Sequence, residues 1–162
     1  MLWLTALIWG FAFVAQRAGM EHIGPFMFNG LRFLLGSLSL IPLIIILKQK
    51  EVSGIFSGNL VKGGMAAGLV LFTAASLQQA GMVYTTAGKA GFITGLYVVL
   101  VPLLGLFIGQ KTGKNLWIGA IIAVCGLFLL TFSGKWLIGK GDLLVLLSAF
   151  FWAVHVQLIN KL

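Results

Sequence analysis

Residues 78–111 read QQAGMVYTTAGKAGFITGLYVVLVPLLGLFIGQK. Two apolar runs meet there in a short turn at 84–88, and each is long enough to be a membrane helix. In and just before the second run, 90–109, the glycines Gly88, Gly91 and Gly95 recur at three- and four-residue steps. Small residues at that spacing let another helix backbone approach closely within lipid. The spacing therefore predicts a close-packed interior helix with Gly88, Gly91 and Gly95 as its packing positions.

The rest of the chain has the same character. It is 60% hydrophobic and 9% charged, whereas a soluble domain carries about 25% charged residues. Six apolar runs approach the length of about 20 residues that spans a hydrocarbon core, at 2–18, 26–47, 63–83, 90–109, 116–132 and 143–159. They lack strict period-two alternation, and an open sheet cannot satisfy its backbone in lipid. The expected fold is all-α, a polytopic membrane protein of six transmembrane helices with the lipid bilayer as its partner.

A net charge of +8 would suggest nucleic acid for a soluble chain, but the cations lie between or beside the runs, where membrane proteins keep them. No nucleic-acid partner is expected. With an N-terminus in the cytoplasm, Lys48, Lys50, Lys62, Lys111, Lys114 and Lys161 fall on the cytoplasmic side and Arg17, Lys89, Lys135 and Lys140 outside. That excess favours the N-in orientation. Trp3, Trp117 and Trp136 lie near run ends, where interfacial anchoring explains them.

Catalytic chemistry is poorly provided for. The only acids, Glu21, Glu51 and Asp142, lie at or outside run ends, and His22 and His155 are far apart in sequence. No general acid/base pair, phosphate-binding loop or metal-ligand cluster is visible. Cys125 has no partner within the chain, and no metal or cofactor is expected. The reading is a non-enzyme.

A shift of 143 residues lays Leu4-Thr5-Ala6-Leu7-Ile8-Trp9 on Leu147-Ser148-Ala149-Phe150-Phe151-Trp152. Five runs separate the two starts, and an odd number inserts the second copy upside down, as in inverted-repeat transporters. The expected organisation is a first five-helix unit at 1–133, then a connection and the first helix of a second unit at 134–162. On this reading the chain is a fragment that a missing C-terminal half or a second chain completes.

Polar side chains inside the runs are candidate site residues. Arg32 is seven residues into the second run. An intramembrane cation is costly, so it either snorkels or pairs structurally, or it faces a transport pathway, with Asn29 one turn away. Gln78 and Gln79 act either as interhelical glue or as polar groups of a cavity, Gln79 sharing a face with Phe72, Ala75 and Ser76. Thr94 and Tyr97 lie on one face of the fourth run, and the Tyr97 hydroxyl needs either a neighbouring helix or a cavity. Pro102 removes one backbone bond there and is a candidate kink. Trp9, Phe13 and Gln16 share a face of the first run, as Trp152 and His155 do in the sixth. His155 is either a satisfied structural group or a solute or proton contact. Trp9, Gln79, Tyr97 and His155 are the residues expected to bind solute; Asn29, Arg32, Gln78 and Thr94 are expected to be structural or pathway polar groups.

The stretch YTTAGKAGFITGLYVVLVPLLGLFIGQK resembles the central signature of the drug/metabolite transporter superfamily, the EamA-domain proteins. The resemblance extends to WGFAFVAQ at 9–16, PFMFNGLRFLLG at 25–36, WIGAIIAVCGLFLL at 117–130 and GDLLVLLSAFFWAVHVQLINKL at 141–162. It implies an inner-membrane secondary carrier in which two five-helix units form ten helices, with the N-terminus inside, moving a small organic metabolite or drug-like solute by alternating access. Small multidrug members of the superfamily rely on a glutamate in their first helix, and the run at 2–18 has none, so no proton antiport is assigned. A membrane-embedded transferase and a non-transporting assembly subunit are the alternatives.

Overall fold

The computed structural model describes residues 2–47, 58–131 and 138–162, and every element in them is an α-helix. In chain order these are α1 (Leu2–Met20), α2 (Pro25–Leu47), α3 (Gly58–Met82), α4 (Ala87–Gly95), α5 (Tyr97–Phe107), α6 (Lys114–Thr131) and α7 (Lys140–Ile159). The six expected runs all appear, the fourth as the pair α4 and α5. Four stretches, Pro25–Leu43, Leu60–Met82, Ala87–Phe107 and Lys140–Ile159, are long and apolar enough to cross a membrane, and Lys114–Gly126 is a shorter apolar helix. The molecule is an all-α polytopic membrane protein. Lys48, Lys50, Glu51, Lys135 and Trp136 lie outside the described residues.

The turn expected at 84–88 is made by Thr86. Its backbone is extended and its hydroxyl accepts from the Lys89 N–H, which caps α4. α4 gives way to α5 at Leu96, where bonding tightens to three-residue steps: Leu96 N–H donates to Ile93 O at 3.2 Å and Val99 N–H to Leu96 O at 3.0 Å. Gly91 and Gly95, weak helix formers, lead into this break. The interruption thus lies six residues before Pro102, around which α5 stays helical. α5 ends in a Schellman turn: Gly109, at φ 80°, lets Gln110 N–H donate to Gly105 O at 2.9 Å and Gly109 N–H to Leu106 O at 3.0 Å.

The most extensive contact joins α3 and α7. At its tightest point Gly81 and Gly141 face each other. A Cβ on Gly141 would lie 2.6 Å from the Gly81 carbonyl oxygen and 2.9 Å from the Tyr84 backbone carbon, and one on Gly81 would lie 2.8 Å from the Gly141 carbonyl oxygen. Away from that point the α7 face is small or β-branched at four-residue steps, with Val145, Ala149 and Ala153 fully buried. Large apolar side chains such as Trp3, Phe11, Ile46 and Leu129 are exposed, which suits a surface whose solvent is lipid.

A polar cluster closes one end of this crossing. The Asp142 carboxylate accepts from the Thr85 hydroxyl, from the Gly139 N–H at 3.0 Å and from Lys89 Nζ at 3.1 Å. Arg17, at the end of α1, donates to the carbonyls of Met82 and Thr85. At the other end Gln110 Nε2 donates to Gln157 Oε1 at 3.0 Å and Gln157 Nε2 to the Val101 carbonyl at 2.7 Å. Arg17, Lys89 and Gly139 therefore gather at one end.

The fourth run is interior in its α4 half, which touches α1, α3, α6 and α7. It packs through Ala90, Phe92, Ile93 and Thr94. The close approach expected on Gly88 and Gly91 does not occur within this chain, since a Cβ at either would meet nothing within 4 Å. Both glycines point away from the face that Ala90 and Ile93 bury; the close approach is made at Gly81 and Gly141 instead. Gly141→Ala should therefore destabilise the detergent-solubilised chain by about 1–3 kcal/mol, while Gly88→Ala leaves the thermal midpoint unchanged. Equal midpoints for the two variants would show that the crossing has room to spare.

Candidate functional site

A cleft of about 300 Å³ opens between α1, α2, α3 and α7. Trp9, Phe13 and Gln16 line it from α1, at the i, i+4 and i+7 positions of one helical face. Arg32 enters from α2, Gln78 from α3 and Trp152 from α7. The walls are aromatic and the polar groups few, the usual constitution of a small-molecule site.

Trp9 and Trp152, which the 143-residue shift lays on each other in sequence, meet edge to face with ring centroids 6.2 Å apart. Trp152 in turn packs edge-on against His155 at 6.1 Å. His155 does not line the cleft: its Nδ1 lies 3.1 Å from the Ala67 carbonyl on α3. A carbonyl only accepts, so that bond requires the proton on Nδ1.

Arg32 begins about 10 Å along α2 from Pro25, at 1.5 Å per residue. One of its N–H groups donates to Asn29 Oδ1 at 2.8 Å, and the guanidinium sits 5.0 Å from the centre of the Phe33 ring. Among the described residues no carboxylate lies within ion-pairing distance of it; the ion pair found there is Lys89 with Asp142.

Gln78 and Thr94, expected as polar groups of neighbouring runs, bond to each other at 2.9 Å and tie α3 to α4. Gln79 is 0% exposed with neither amide atom partnered. It lies beside buried Ala75, whereas Phe72 is 59% exposed and does not belong to that buried face. Tyr97 is half-buried at the start of α5 and does not line the cleft. Further buried polar atoms without partners are Gln16 Oε1, Asn29 Nδ2, Ser76 Oγ and Trp152 Nε1. Such atoms are costly, and two of them, Gln16 Oε1 and Trp152 Nε1, belong to residues that line the cleft.

Of the four expected solute-binding residues, the structure places Trp9 in the cleft, with Gln79, Tyr97 and His155 outside its lining. Gln16, Gln78, Arg32 and Trp152 stand there instead. The role of Asp142 was also missed. Its signal was an acid in the first turn of a helix, where N–H groups are unpaired; its partners Thr85 and Lys89 are more than fifty residues away.

Spanning apolar helices define an integral membrane protein, and an aromatic cleft opens among its helices. Residues 1–132 match the EamA-like transporter family, and the chain belongs to that family. It is 32% identical over 97% of its length to an uncharacterized transporter of Archaeoglobus fulgidus, of which it covers 47%. It is 28% identical over 94% of its length to the uncharacterized inner membrane transporter YedA of Escherichia coli, covering 49% of that protein. A probable amino-acid metabolite efflux pump of Salmonella typhimurium is 27% identical over 98% of the chain and is covered to 51%. The chain thus spans about half the length of these relatives. No solved structure matches.

Gln79 offers a direct test of how these polar groups are held. Replacing an unsatisfied buried amide by an apolar group of similar shape removes a desolvation cost of about 1–3 kcal/mol. Gln79→Met should leave thermal stability unchanged or raise it. A fall in the melting midpoint would mean that the amide has partners in the folded protein.

Proposed function

We propose that the chain supplies the N-terminal part of an EamA-type secondary carrier of the inner membrane, which moves a small organic solute by alternating access. The observation that carries this reading is the Trp9–Trp152 contact beside the cleft. Inverted-repeat carriers place their solute sites near the midplane, between repeat-related helices, and these two tryptophans are repeat equivalents on the first helix of each unit. Units at 1–133 and from 134 onward, the second completed by a C-terminal half or a second chain, supply the opposing bundles that alternating access requires. The relatives' names favour transport over the transferase or assembly-subunit readings.

The N-terminus lies in the cytoplasm on this reading. Four cations were assigned outside, and two of them, Arg17 and Lys89, are bound to carbonyls and to Asp142. Their presence on that side serves packing, which sharpens the lysine bias of the opposite side.

Single cysteines at Ser57 and Gly139, in a Cys125→Ala background, should react oppositely with an impermeant thiol reagent added to intact cells: Gly139→Cys labelled, Ser57→Cys protected. The reverse pattern would invert the orientation. For transport, the full reading frame is expressed and the medium and cell contents are compared by untargeted mass spectrometry. At least one small organic solute should redistribute, and Trp9→Ala should weaken that redistribution at unchanged membrane abundance. Loss of effect only in proportion to lost protein would make Trp9 a packing residue.

A further inference from the structure

We infer that the cleft takes a solute with one carboxylate and an apolar, aromatic-sized body, and that Arg32 holds the carboxylate. The inference rests on the carrier reading above and adds the charge of the solute to it.

Arg32 is always charged, and its guanidinium has five N–H donors, of which one is given to Asn29. Most of the fork is left for the cleft that Arg32 lines. The Phe33 ring beneath it is a weak counterpart for a cation held within a bilayer. The acids among the described residues do not serve either. Glu21 is exposed beyond α1, and Asp142 is committed to Thr85, Lys89 and Gly139.

The shape of the missing anion follows from the cleft. A carboxylate presents two oxygens in a plane that matches the guanidinium fork. A phosphate dianion would bring a second charge, and Arg32 is the one cation among the lining residues. An ammonium head would meet repulsion from Arg32. Apart from Gln16 and Gln78 the remaining wall is apolar and includes the aromatic rings of Trp9, Phe13, Phe33 and Trp152, which favours a flat or bulky apolar body, and about 300 Å³ limits it to a small one.

The test uses the full chain in phosphatidylcholine nanodiscs and three probes of one shape: 3-phenylpropionate, 3-phenylpropan-1-ol and 3-phenylpropylamine. Binding is read by calorimetry, with empty nanodiscs subtracting partition into lipid. The acid should bind about tenfold or more tighter than the alcohol, and the amine should bind more weakly than the alcohol. Arg32→Gln should erase the acid's advantage while the alcohol still binds. Arg32→Lys, which keeps the charge without the fork, should retain part of it and covers the case in which the glutamine variant does not fold. Equal binding of acid and alcohol to the unaltered chain, or an acid preference that survives Arg32→Gln, would overturn this inference and leave the carrier reading in place. If none of the three binds, this inference falls, and the carrier reading is decided by the redistribution measurement alone.

Discussion

Two carbonyl-bearing backbones pressed together at Gly81 and Gly141 set the geometry of the molecule. Within lipid, apolar side chains gain nothing by leaving the solvent for the protein interior, so helices associate through close packing and polar bonds. The α3–α7 crossing has both. With no side chain between them at the contact point, the helices approach until a single added carbon would meet the opposite backbone at 2.6 Å. That proximity brings Asp142 within reach of Thr85 and Lys89. Thr85 also offers its carbonyl to Arg17. One steric allowance thereby ties α1, α3, α4 and α7, four helices, and the α3–α4 turn together at one end of the bundle.

The cleft depends on the same arrangement from further along α7. Three turns beyond Gly141, Trp152 leaves the tight part of the crossing and reaches Trp9 on α1. Gln78, one turn before Gly81 on α3, faces the cleft while bonding to Thr94 behind it. The wall is therefore built from helices already fixed at their end. On the carrier reading, a preformed wall of this kind spares a solute the cost of ordering it.

Much of this was legible in the sequence because it is local. Apolar length announced the helices, the Thr86 cap made the turn where composition changed, and the one-turn spacing of Asn29 and Arg32 brought them to 2.8 Å. The common face of Trp9, Phe13 and Gln16 followed from period 3.6 and does line the cleft. What was not legible was non-local. Glycine spacing says which positions permit a close approach but not which are used, so Gly88 and Gly91 looked as good as Gly81 and Gly141. Asp142 stands at or outside a run end in the sequence, and its partners Thr85 and Lys89 come from another part of the chain. Gln79, Tyr97 and His155 are amphipathic groups within spans, and one sequence cannot say whether such a group turns toward a cavity or toward a neighbour's backbone, as His155 does toward Ala67.

The meeting of Trp9 with Trp152 has a consequence for how such a molecule can change over generations. On the inverted-repeat reading proposed above, a side chain that touches its own sequence-equivalent stands where a two-fold axis passes, and an association of identical copies about such an axis is isologous. While the copies are identical, any substitution there is felt on both sides of the axis at once. Joined in one chain, positions 9 and 152 are free to mutate separately, and the contact becomes the first place where a symmetric pocket can acquire two different ends. Divergence at this pair gives a duplicated fold a direct way to distinguish the head of a solute from its tail.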